Sequence, residues 1–327
     1  MKTKISEYSE YMDIKRIEFI ITYQCGGKCR HCQMGDSINK KSSHSHVISE
    51  YAVEAVEKLS AVFDITSVMT FGGEPLYYPE VVAAIHKKAM DCGIKTREVI
   101  TNGYFTNNPE KSKSVAQLLF ETGVNHLPIS VDAFHQEYIP VEPVYQFVQD
   151  VIDAKIPDAF LHPAWLVNEG HENPYNKKTK EILEKFSDLN IPVGKYGGVG
   201  LNGNAAKFLS EYFEAAPLNP ADADLSTPCG ELANVRCIGI EPNGNVGTCG
   251  FVIGNIYEED ILDIVRRYNP YENEIITAII NKGIGGLLSY AEKQGVIIDI
   301  SKYYSSCWDA CNKIVECLSA KLNLCKK

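Results

Sequence analysis

Features of membrane, secreted and nucleic-acid-binding proteins are missing from this chain of 327 residues. No apolar run approaches the roughly 18 residues of a membrane span, and no charged segment followed by an apolar one marks a signal peptide. Basic residues number 32 against 42 acidic ones, so the net charge is -10. Because nucleic-acid binding depends on clustered Lys and Arg, we expect a cytoplasmic protein with no nucleic-acid and no membrane partner.

The eleven cysteines do not fit a secreted disulfide framework. Their number is odd, and thiolate metal sites require a reducing compartment. Hydrophobic residues make up 45% of the chain, which is enough for a sizeable core. The length exceeds one average domain and suits one large α/β unit with an appendage.

Apolar β-type runs alternate with helical patterns through the first two thirds of the chain. Pro79 is predicted to open a helix that Gly93 closes, and Pro109 one that Gly123 closes. Ser49 is predicted as the N-cap of an earlier helix. Alternating strands and helices form a parallel sheet with right-handed crossovers, and six units fall short of a full eight-unit barrel. The predicted fold is therefore α/β, a partial TIM-like barrel with a small C-terminal cysteine-rich α+β domain. The six predicted strands lie near residues 16–22, 66–71, 95–100, 126–131, 159–167 and 191–196.

Changes in composition set the predicted boundaries. Residues 1–13 form an N-terminal extension, and residues 14–213 form the barrel. The stretch 214–228 is rich in proline without a helical pattern, which is typical of a linker. Residues 229–327 contain seven of the eleven cysteines and form the last domain.

Three cysteines with CxxxCxxC spacing, Cys25, Cys29 and Cys32, follow the first predicted strand. Three thiolates leave one metal position open, which a catalytic centre needs, whereas a structural metal site is closed. The alternative is a zinc knuckle, which prefers paired CxxC half-sites and a fourth Cys or His. Histidines that could supply the fourth ligand are His31 and the more distant His44 and His46.

A second motif, Gly72-Gly73-Glu74-Pro75, ends the second predicted strand. Two glycines let backbone carbonyls approach a ligand closely, and the proline fixes an extended turn. Alone this motif is a turn. At about 40 residues beyond CxxxCxxC it is a specific signal.

Together the two motifs resemble those of the radical S-adenosylmethionine (SAM) superfamily. The resemblance implies that the three cysteines hold a 4Fe-4S cluster whose fourth iron binds SAM. One electron, from a reductant such as flavodoxin or ferredoxin, then splits SAM into methionine and a 5′-deoxyadenosyl radical. The residues that it implies for SAM binding are His31, Gly72, Gly73, Glu74, Pro75, Asn102, Ser130, Asp132 and Asn204.

Several of these residues also have ordinary explanations. Asn102, Ser130 and Asp132 follow predicted strands, where such residues are common in turns. Asn204 stands where many family members have an arginine, and an amide brings no charge to a SAM carboxylate. His162, in the fifth strand pattern, either faces SAM or is a core histidine.

The C-terminal part resembles the auxiliary-cluster domains called SPASM and twitch. Cys229 and Cys249 bracket a predicted hairpin with a Pro-Asn-Gly turn. The resemblance implies that Cys307 and Cys311 complete a 4Fe-4S cluster with them.

The number of auxiliary clusters stays open. Seven thiolates fit two clusters with one open iron, or one closed cluster that leaves Cys237, Cys317 and Cys325 over. Zinc or free thiols are the alternatives to auxiliary clusters, and Cys92, outside this region, is predicted to be a buried free cysteine.

The resemblance to auxiliary-cluster enzymes implies a precursor peptide as substrate, with epimerisation or crosslink formation as the reaction. Peptide epimerases have a donor cysteine directly after the hairpin's second cluster cysteine, but Gly250 stands there, so Cys237 is the candidate catalytic hydrogen donor. The aspartate base of sulfatase-maturing enzymes is absent from the same place. Because fewer than 16 residues precede the first strand, a separate peptide-recognition protein could present the peptide.

Two other functions stay in view. One is a radical SAM dehydrogenase or epimerase of a small molecule. The other is an iron-sulfur carrier or assembly scaffold, although a carrier has no use for a SAM pocket.

Overall fold

The computed structural model describes residues 8–195, 197–213, 229–298 and 307–322, the last range with only part of its side chains. The predicted linker at 214–228 and Cys325 lie outside the described residues, as does the side chain of Cys307.

Eight strands form one sheet in the order β5-β4-β3-β2-β1-β6-β7-β8. Strands β1 to β6 pair in parallel, and β7 and β8 add antiparallel strands at one edge. This mainly parallel α/β sheet confirms the predicted partial barrel. The strands are β1 Met12–Thr22, β2 Ser67–Gly72, β3 Thr96–Val99, β4 His126–Ile129, β5 Asp158–Leu161, β6 Val235–Ile240, β7 Asn245–Thr248 and β8 Phe251–Asn255.

The helices between β1 and β5 connect successive parallel strands and pack on one face of the sheet. The bounds are α1 Ser49–Val62, α2 Pro79–Asp91, α3 Pro109–Glu121, α4 Val141–Ala154, α5 Pro174–Leu183, α6 Gly203–Phe208, α7 Gly230–Ala233, α8 Ile261–Arg267, α9 Glu274–Lys293 and α10 Cys307–Leu322. No helix among the described residues is long and apolar enough to cross a membrane.

Side chains of β1 alternate between two environments. Ile17 and Phe19 are fully buried in the core beneath the helices, whereas Arg16 and Glu18 point to the opposite, inner face of the partial barrel, which we call the lumen face. Alternation follows from the period of two in a strand. In a parallel ladder, paired residues share a face, so the pairings extend the lumen face across the sheet. Its members are Arg16, Glu18, Ile20, Ser67, Met69, Phe71, Thr96, Glu98, His126, Asp158, Cys237 and Gly239.

The predicted helix boundaries are confirmed in part. Helices α2 and α3 begin at prolines and are followed by Gly93 and Gly123 with positive φ, as the sequence predicted. The N-cap prediction for Ser49 is wrong, because Ser49 is the first helical residue and Ile48 precedes it without a side-chain cap.

In the described part of the predicted sixth strand, residues 191–195, the pairing is a single bridge between Val193 and Leu161. Pro192 has no N–H to donate to a ladder, and glycine at 194 weakens a strand. In its place, β6 extends the sheet on the other side of β1, so β1 is a central strand.

The predicted hairpin after Cys229 is confirmed as β6 and β7, with Gly244 in the turn at φ +85°. Strand β8 and helix α9 were not predicted. Helix α9 presents Ile276, Ile279 and Leu287 to a second core, which α10 completes with Ile314 and Leu318.

Candidate functional site

The loop after β1 brings the three motif cysteines together. A Cβ added to Gly27 would lie 3.1 Å from Cys29 Sγ and 3.6 Å from Cys25 Sγ, so two of the sulfurs flank this glycine. The Gly27 N–H donates to Cys25 Sγ over 3.3 Å. Backbone N–H groups of Met34 and Gly35 approach the Cys32 thiol. These N–H groups stabilise thiolates.

The environment of these thiols suits metal ligands. Burial raises the pKa of Cys25 to about 11 and also raises the pKa of Cys29 and Cys32, and neighbouring carboxylates add to the effect on Cys25 and Cys29. A coordinated metal deprotonates such thiols. Three clustered sulfurs with N–H donors therefore fit an iron-sulfur cluster with one open position.

Side chains from distant segments hold this loop. Asn39 Oδ1 accepts from the Cys25 N–H over 3.0 Å, and its Nδ2 donates to the Cys25 carbonyl over 3.0 Å. Asn204 donates its backbone N–H to the Cys32 carbonyl over 3.0 Å and its Nδ2 to the Cys29 carbonyl over 3.1 Å. The predicted SAM ligand Asn204 thus has its amide on the cluster loop. Sequence reasoning missed Asn39.

The Gly72-Gly73-Glu74 segment lies directly against the chain that leads to Cys25. The Gly73 N–H donates to the Thr22 carbonyl and the Glu74 N–H to the Gln24 carbonyl, each over 2.7 Å. A Cβ on Gly73 would lie 2.1 Å from the Gln24 oxygen. Glycine is required because two backbones meet here.

The Glu74 carboxylate joins the ends of β2 and β3. It is fully buried and accepts from Thr101 Oγ1 over 2.7 Å and from the N–H groups of Leu76 and Asn102, each over 2.9 Å. Burial raises its pKa to about 7. Asn102 Nδ2 lies 3.5 Å from Cys25 Sγ. Glu74 therefore orders the strand ends that surround the cluster loop.

Asp132, also fully buried, anchors His135. One oxygen accepts from the N–H groups of Phe134 and His135, and the other accepts from Ala164 N–H and bonds to His135 Nδ1 over 2.8 Å. Burial alone would raise the pKa of Asp132, but His135 holds it below its usual value. The His31 ring lies 4.8 Å from the rings of Phe134 and His135.

The ligand atoms of His31, Asp132 and His135 lie within 4.8 Å of one another. Because both Asp132 oxygens already accept protein hydrogen bonds, this trio is better explained as a hydrogen-bonded pair packed on a ring than as a metal site. Burial, with a contribution from the nearby His135, lowers the pKa of His31 to about 4.

Several buried polar atoms without hydrogen-bond partners lie in the segments that follow the parallel strands of the barrel. Among the described residues, six buried side-chain N or O atoms have no hydrogen-bond partner, and five of them belong to these segments. A ligand with several polar groups, such as SAM, fits a site that leaves them unpaired. The five are His31 Nδ1, Gln136 Nε2, His162 Nδ1, Trp165 Nε1 and Asn202 Oδ1.

Some of the cysteines predicted to bind an auxiliary cluster lie in the same part of the structure. Cys229, Cys249 and Cys311 pack against the same core, and burial raises the pKa of Cys249 to about 12, with contributions from Glu231 and Cys229. The turn after Cys249 touches α10, since a Cβ on Gly250 would lie 3.3 Å from Asn312 Oδ1. Cys317 follows Cys311 by six positions on α10, which corresponds to a rise of about 9 Å along the helix.

The candidate donor Cys237 lies on the lumen face, paired with Arg16. Its thiol is beside Glu18, and burial together with this carboxylate raises its pKa to about 12. Cys249, just beyond β7 of the hairpin, is close enough to Cys237 to add to this shift. Arg16 precedes Thr22 by six residues, about 20 Å along a strand. The lumen therefore extends from the Cys25 loop at one end to the C-terminal cysteines at the other.

Polar lumen residues were missed in the sequence. Arg16 and Glu18 alternate with the apolar residues Ile17 and Phe19, and this alternation was the available signal. The other predicted histidines outside the site, His44 and His46, pack on Tyr257 and Tyr78.

Residues 19–209 match the family model described as Radical SAM superfamily. Among curated proteins, a GTP 3',8-cyclase of Thermodesulfovibrio yellowstonii is 24% identical over 136 residues, covering 42% of this chain and 39% of that protein. A GTP 3',8-cyclase of Listeria monocytogenes is 22% identical over 318 residues, covering 96% of this chain and 78% of that protein. The match to the first relative thus spans about two fifths of its length.

A solved structure described as "Native anSMEcpe with bound AdoMet" has a TM-score of 0.51 to this chain at 14% identity. The alignment covers 95% of this chain and 100% of that one. This likeness concerns the fold.

Proposed function

This chain belongs to the radical SAM superfamily, and from that premise we propose that it abstracts a hydrogen atom from a small polar molecule held in the lumen. Reductive cleavage of SAM is the chemistry of the family. The observation that carries the proposal is the direct junction between the three-cysteine loop and the Gly72-Gly73-Glu74 segment, which places both motifs at one end of the lumen.

Cys25, Cys29 and Cys32 would hold the cluster. When bound, the cluster supplies an open iron for SAM and one electron, which yields methionine and a 5′-deoxyadenosyl radical. The chain's own residues orient the site. Asn39 and Asn204 fix the loop carbonyls, and the unpaired polar atoms of the neighbouring segments supply hydrogen bonds to SAM.

The remaining predicted SAM contacts, Gly72, Pro75, Ser130 and Asp132, stay part of this proposal. Ser130 and Asp132 are buried where the chain leaves β4, at the cluster end of the lumen. Asp132 acts through His135, since its oxygens are already occupied. We assign Gly72 and Pro75 to the wall beside the cluster loop.

A small molecule is favoured as substrate because curated relatives carry the name GTP 3',8-cyclase. The precursor peptide inferred from the sequence is the second candidate. In its favour, the sheet is not closed between β5 and β6 in the part of the chain that the structure describes, so an extended segment could enter from the side. Epimerisation would use Cys237 as donor.

An auxiliary cluster at the far end of the lumen completes the proposal. Cys229, Cys249 and Cys311 would be ligands, and Cys307 the fourth, with Cys317 and Cys325 available for a second cluster. The proximity of Cys229 to Cys249, and the packing of both and of Cys311 against one core, support the first three assignments.

The test uses anaerobically reconstituted protein with SAM and dithionite. Wild type is expected to form 5′-deoxyadenosine, and Cys25→Ala/Cys29→Ala/Cys32→Ala is expected to form none and to lose about four irons per chain. Cys92→Ala is the matched control, because Cys92 is outside both cysteine groups, and it should behave as wild type. No deoxyadenosine from a loaded and reducible wild-type protein would favour the carrier function instead.

Substrate class is tested separately by adding metabolite mixtures or synthetic peptides and measuring deoxyadenosine above the uncoupled level. Stimulation by peptides alone would reverse the preference for a small molecule.

A further inference from the structure

Charged side chains stand inside the lumen, on the face away from the helices. Arg16 Nε donates to Glu18 Oε1 over 2.6 Å, and its Nη2 donates to Glu98 Oε2 over 2.7 Å. Arg16 Nη1 donates to Ser67 Oγ over 2.7 Å. The guanidinium therefore fixes the positions of two carboxylates on the lumen wall, one on β1 and one on β3.

Each carboxylate keeps acceptor capacity toward the lumen. Glu98 Oε1 lies 3.9 Å from His126 Nε2, which is beyond hydrogen-bond reach. His126 Nδ1 is occupied by Asp158 over 2.6 Å. Side chains of Glu18 and Glu98 are 27% and 13% exposed, so these acceptors remain accessible. Glu18 also bonds the Cys237 thiol, but an ionised carboxylate has about four acceptor sites, so both groups can accept further hydrogen bonds.

An unpaired buried atom points to a ligand in the same region. His162 Nδ1 is buried without a hydrogen-bond partner. Its ring is close enough to Glu98 and His126, and also to Asp132 and His135, for charge interactions. His162 thus stands between the cluster end of the lumen and the carboxylates.

The charge balance of this wall is negative. Among the lumen-face positions defined above, Arg16 is the only Lys or Arg, and it faces Glu18 and Glu98 directly. Phosphate recognition requires free cations or convergent N–H donors. A guanidinium already paired with two carboxylates offers neither, so a nucleoside triphosphate would meet repulsion here.

We propose that Glu18 and Glu98, fixed by Arg16, form a substrate-binding wall for a small uncharged or cationic molecule that carries hydroxyl or amino donors. This inference rests on the proposed function, which places the substrate in the lumen. It separates the chain from relatives named for GTP, since the wall selects against phosphates. The carboxylates bind donors of the substrate, and His162 supplies a further polar contact nearer the cluster.

Cys237 provides a reporter for this wall. It is paired with Arg16 on β6, lies beside Glu18, and is half-buried. In a cleft lined by charges of one sign, the local electrostatic potential changes the rate at which charged reagents associate by tenfold or more. The rate at which a charged reagent modifies this thiol therefore measures the sign of the lumen charge.

The experiment treats reconstituted holoenzyme with cationic methanethiosulfonate ethyltrimethylammonium or anionic methanethiosulfonate ethylsulfonate, and follows Cys237 by peptide mass mapping. Rates are divided by those of glutathione with the same reagents. We expect a normalised preference for the cation of roughly tenfold. Glu98→Gln should lower this ratio, Arg16→Met should raise it, and Glu54→Gln, on the outer surface of α1, should leave it unchanged.

The proposal would be overturned by a ratio near one, by a preference for the anion, or by no modification of Cys237 with either reagent. Each of these results means that no accessible negative wall exists. Protection of Cys237 by GTP would overturn it as well. Deoxyadenosine formation is measured on the same samples. Its loss would count against the proposed function, whereas a wrong ratio with normal deoxyadenosine would count against the binding wall alone.

Discussion

Asn204 donates its side-chain amide to the carbonyl oxygen of Cys29 over 3.1 Å, although 175 residues separate them in the chain. Its backbone N–H also donates to Cys32. The residue at this position therefore closes the cysteine loop, and one of its two amide N–H groups is used for this contact.

We expect Asn204→Ala to weaken cluster retention. Loss of one hydrogen bond costs about 1 kcal/mol, or about fivefold in an equilibrium constant. Iron release to a chelator should therefore accelerate by about that factor. With both variants measured in the absence of SAM, Asn202→Ala is the control, because the Asn202 Oδ1 atom has no hydrogen-bond partner within the protein. Equal release rates for the two variants would contradict the loop-closing role.

A methyl group at Gly73 should be poorly tolerated. The added Cβ would lie 2.1 Å from the Gln24 carbonyl oxygen, so two backbones must separate. We expect Gly73→Ala to lower stability by about 2 kcal/mol or more and the melting temperature by about 5 °C or more. In Gly239→Ala no atom lies within 4 Å of the new Cβ, and the melting temperature should hardly change. Similar melting temperatures would refute the close approach.

Removing two C-terminal cysteines should remove one cluster only. We expect Cys229→Ala/Cys249→Ala to lose about four irons per chain while uncoupled deoxyadenosine formation persists. Iron analysis and electron paramagnetic resonance of the reduced protein check this, with Cys92→Ala as control. An unchanged iron content would show that these thiols are free.

Acid should destabilise the protein through His86. This residue is fully buried, bonds Thr70 Oγ1 over 2.9 Å, and has its pKa lowered from 6.5 to about 3 by burial. In the unfolded chain, His86 therefore becomes protonated below about pH 6.5. In the folded chain it stays neutral until the pH falls to about 3. Stability is full above this window and falls as pH decreases through it.

The expected loss from His86 between about pH 7.5 and pH 5.5 is about 1.4 kcal/mol. Urea unfolding at both pH values should show a smaller loss in His86→Gln than in wild type, by about that amount. Parallel losses in the two proteins would mean that His86 is protonated in the folded state.

Local signals predicted most of the barrel. Pro79 and Pro109 opened helices as expected because proline suits the first helical turn. The cysteine loop and the glycine motif were found because their spacing is short and local. Ser49 failed as an N-cap, since propensity does not decide between neighbouring residues at a helix start.

Pairing between segments that are far apart in the chain could not be predicted from the sequence. Nothing local in Val235–Ile240 says that this segment pairs with β1 instead of closing the barrel beside β5. For the same reason Asn39 and Asn204 were not expected on the loop carbonyls. Glu98 and Arg16 are 82 residues apart, so their ion pair could be seen only once the strands were aligned.

The central position of β1 has a consequence for how the protein is made. One neighbour, β2, emerges from the ribosome early, but the other, β6, is synthesised more than 200 residues later. Asn204, which closes the cysteine loop, also appears late. During translation the nascent chain therefore exposes β1 as an unpaired edge beside three reactive thiols, and iron-sulfur loading into a finished loop must follow release of most of the polypeptide.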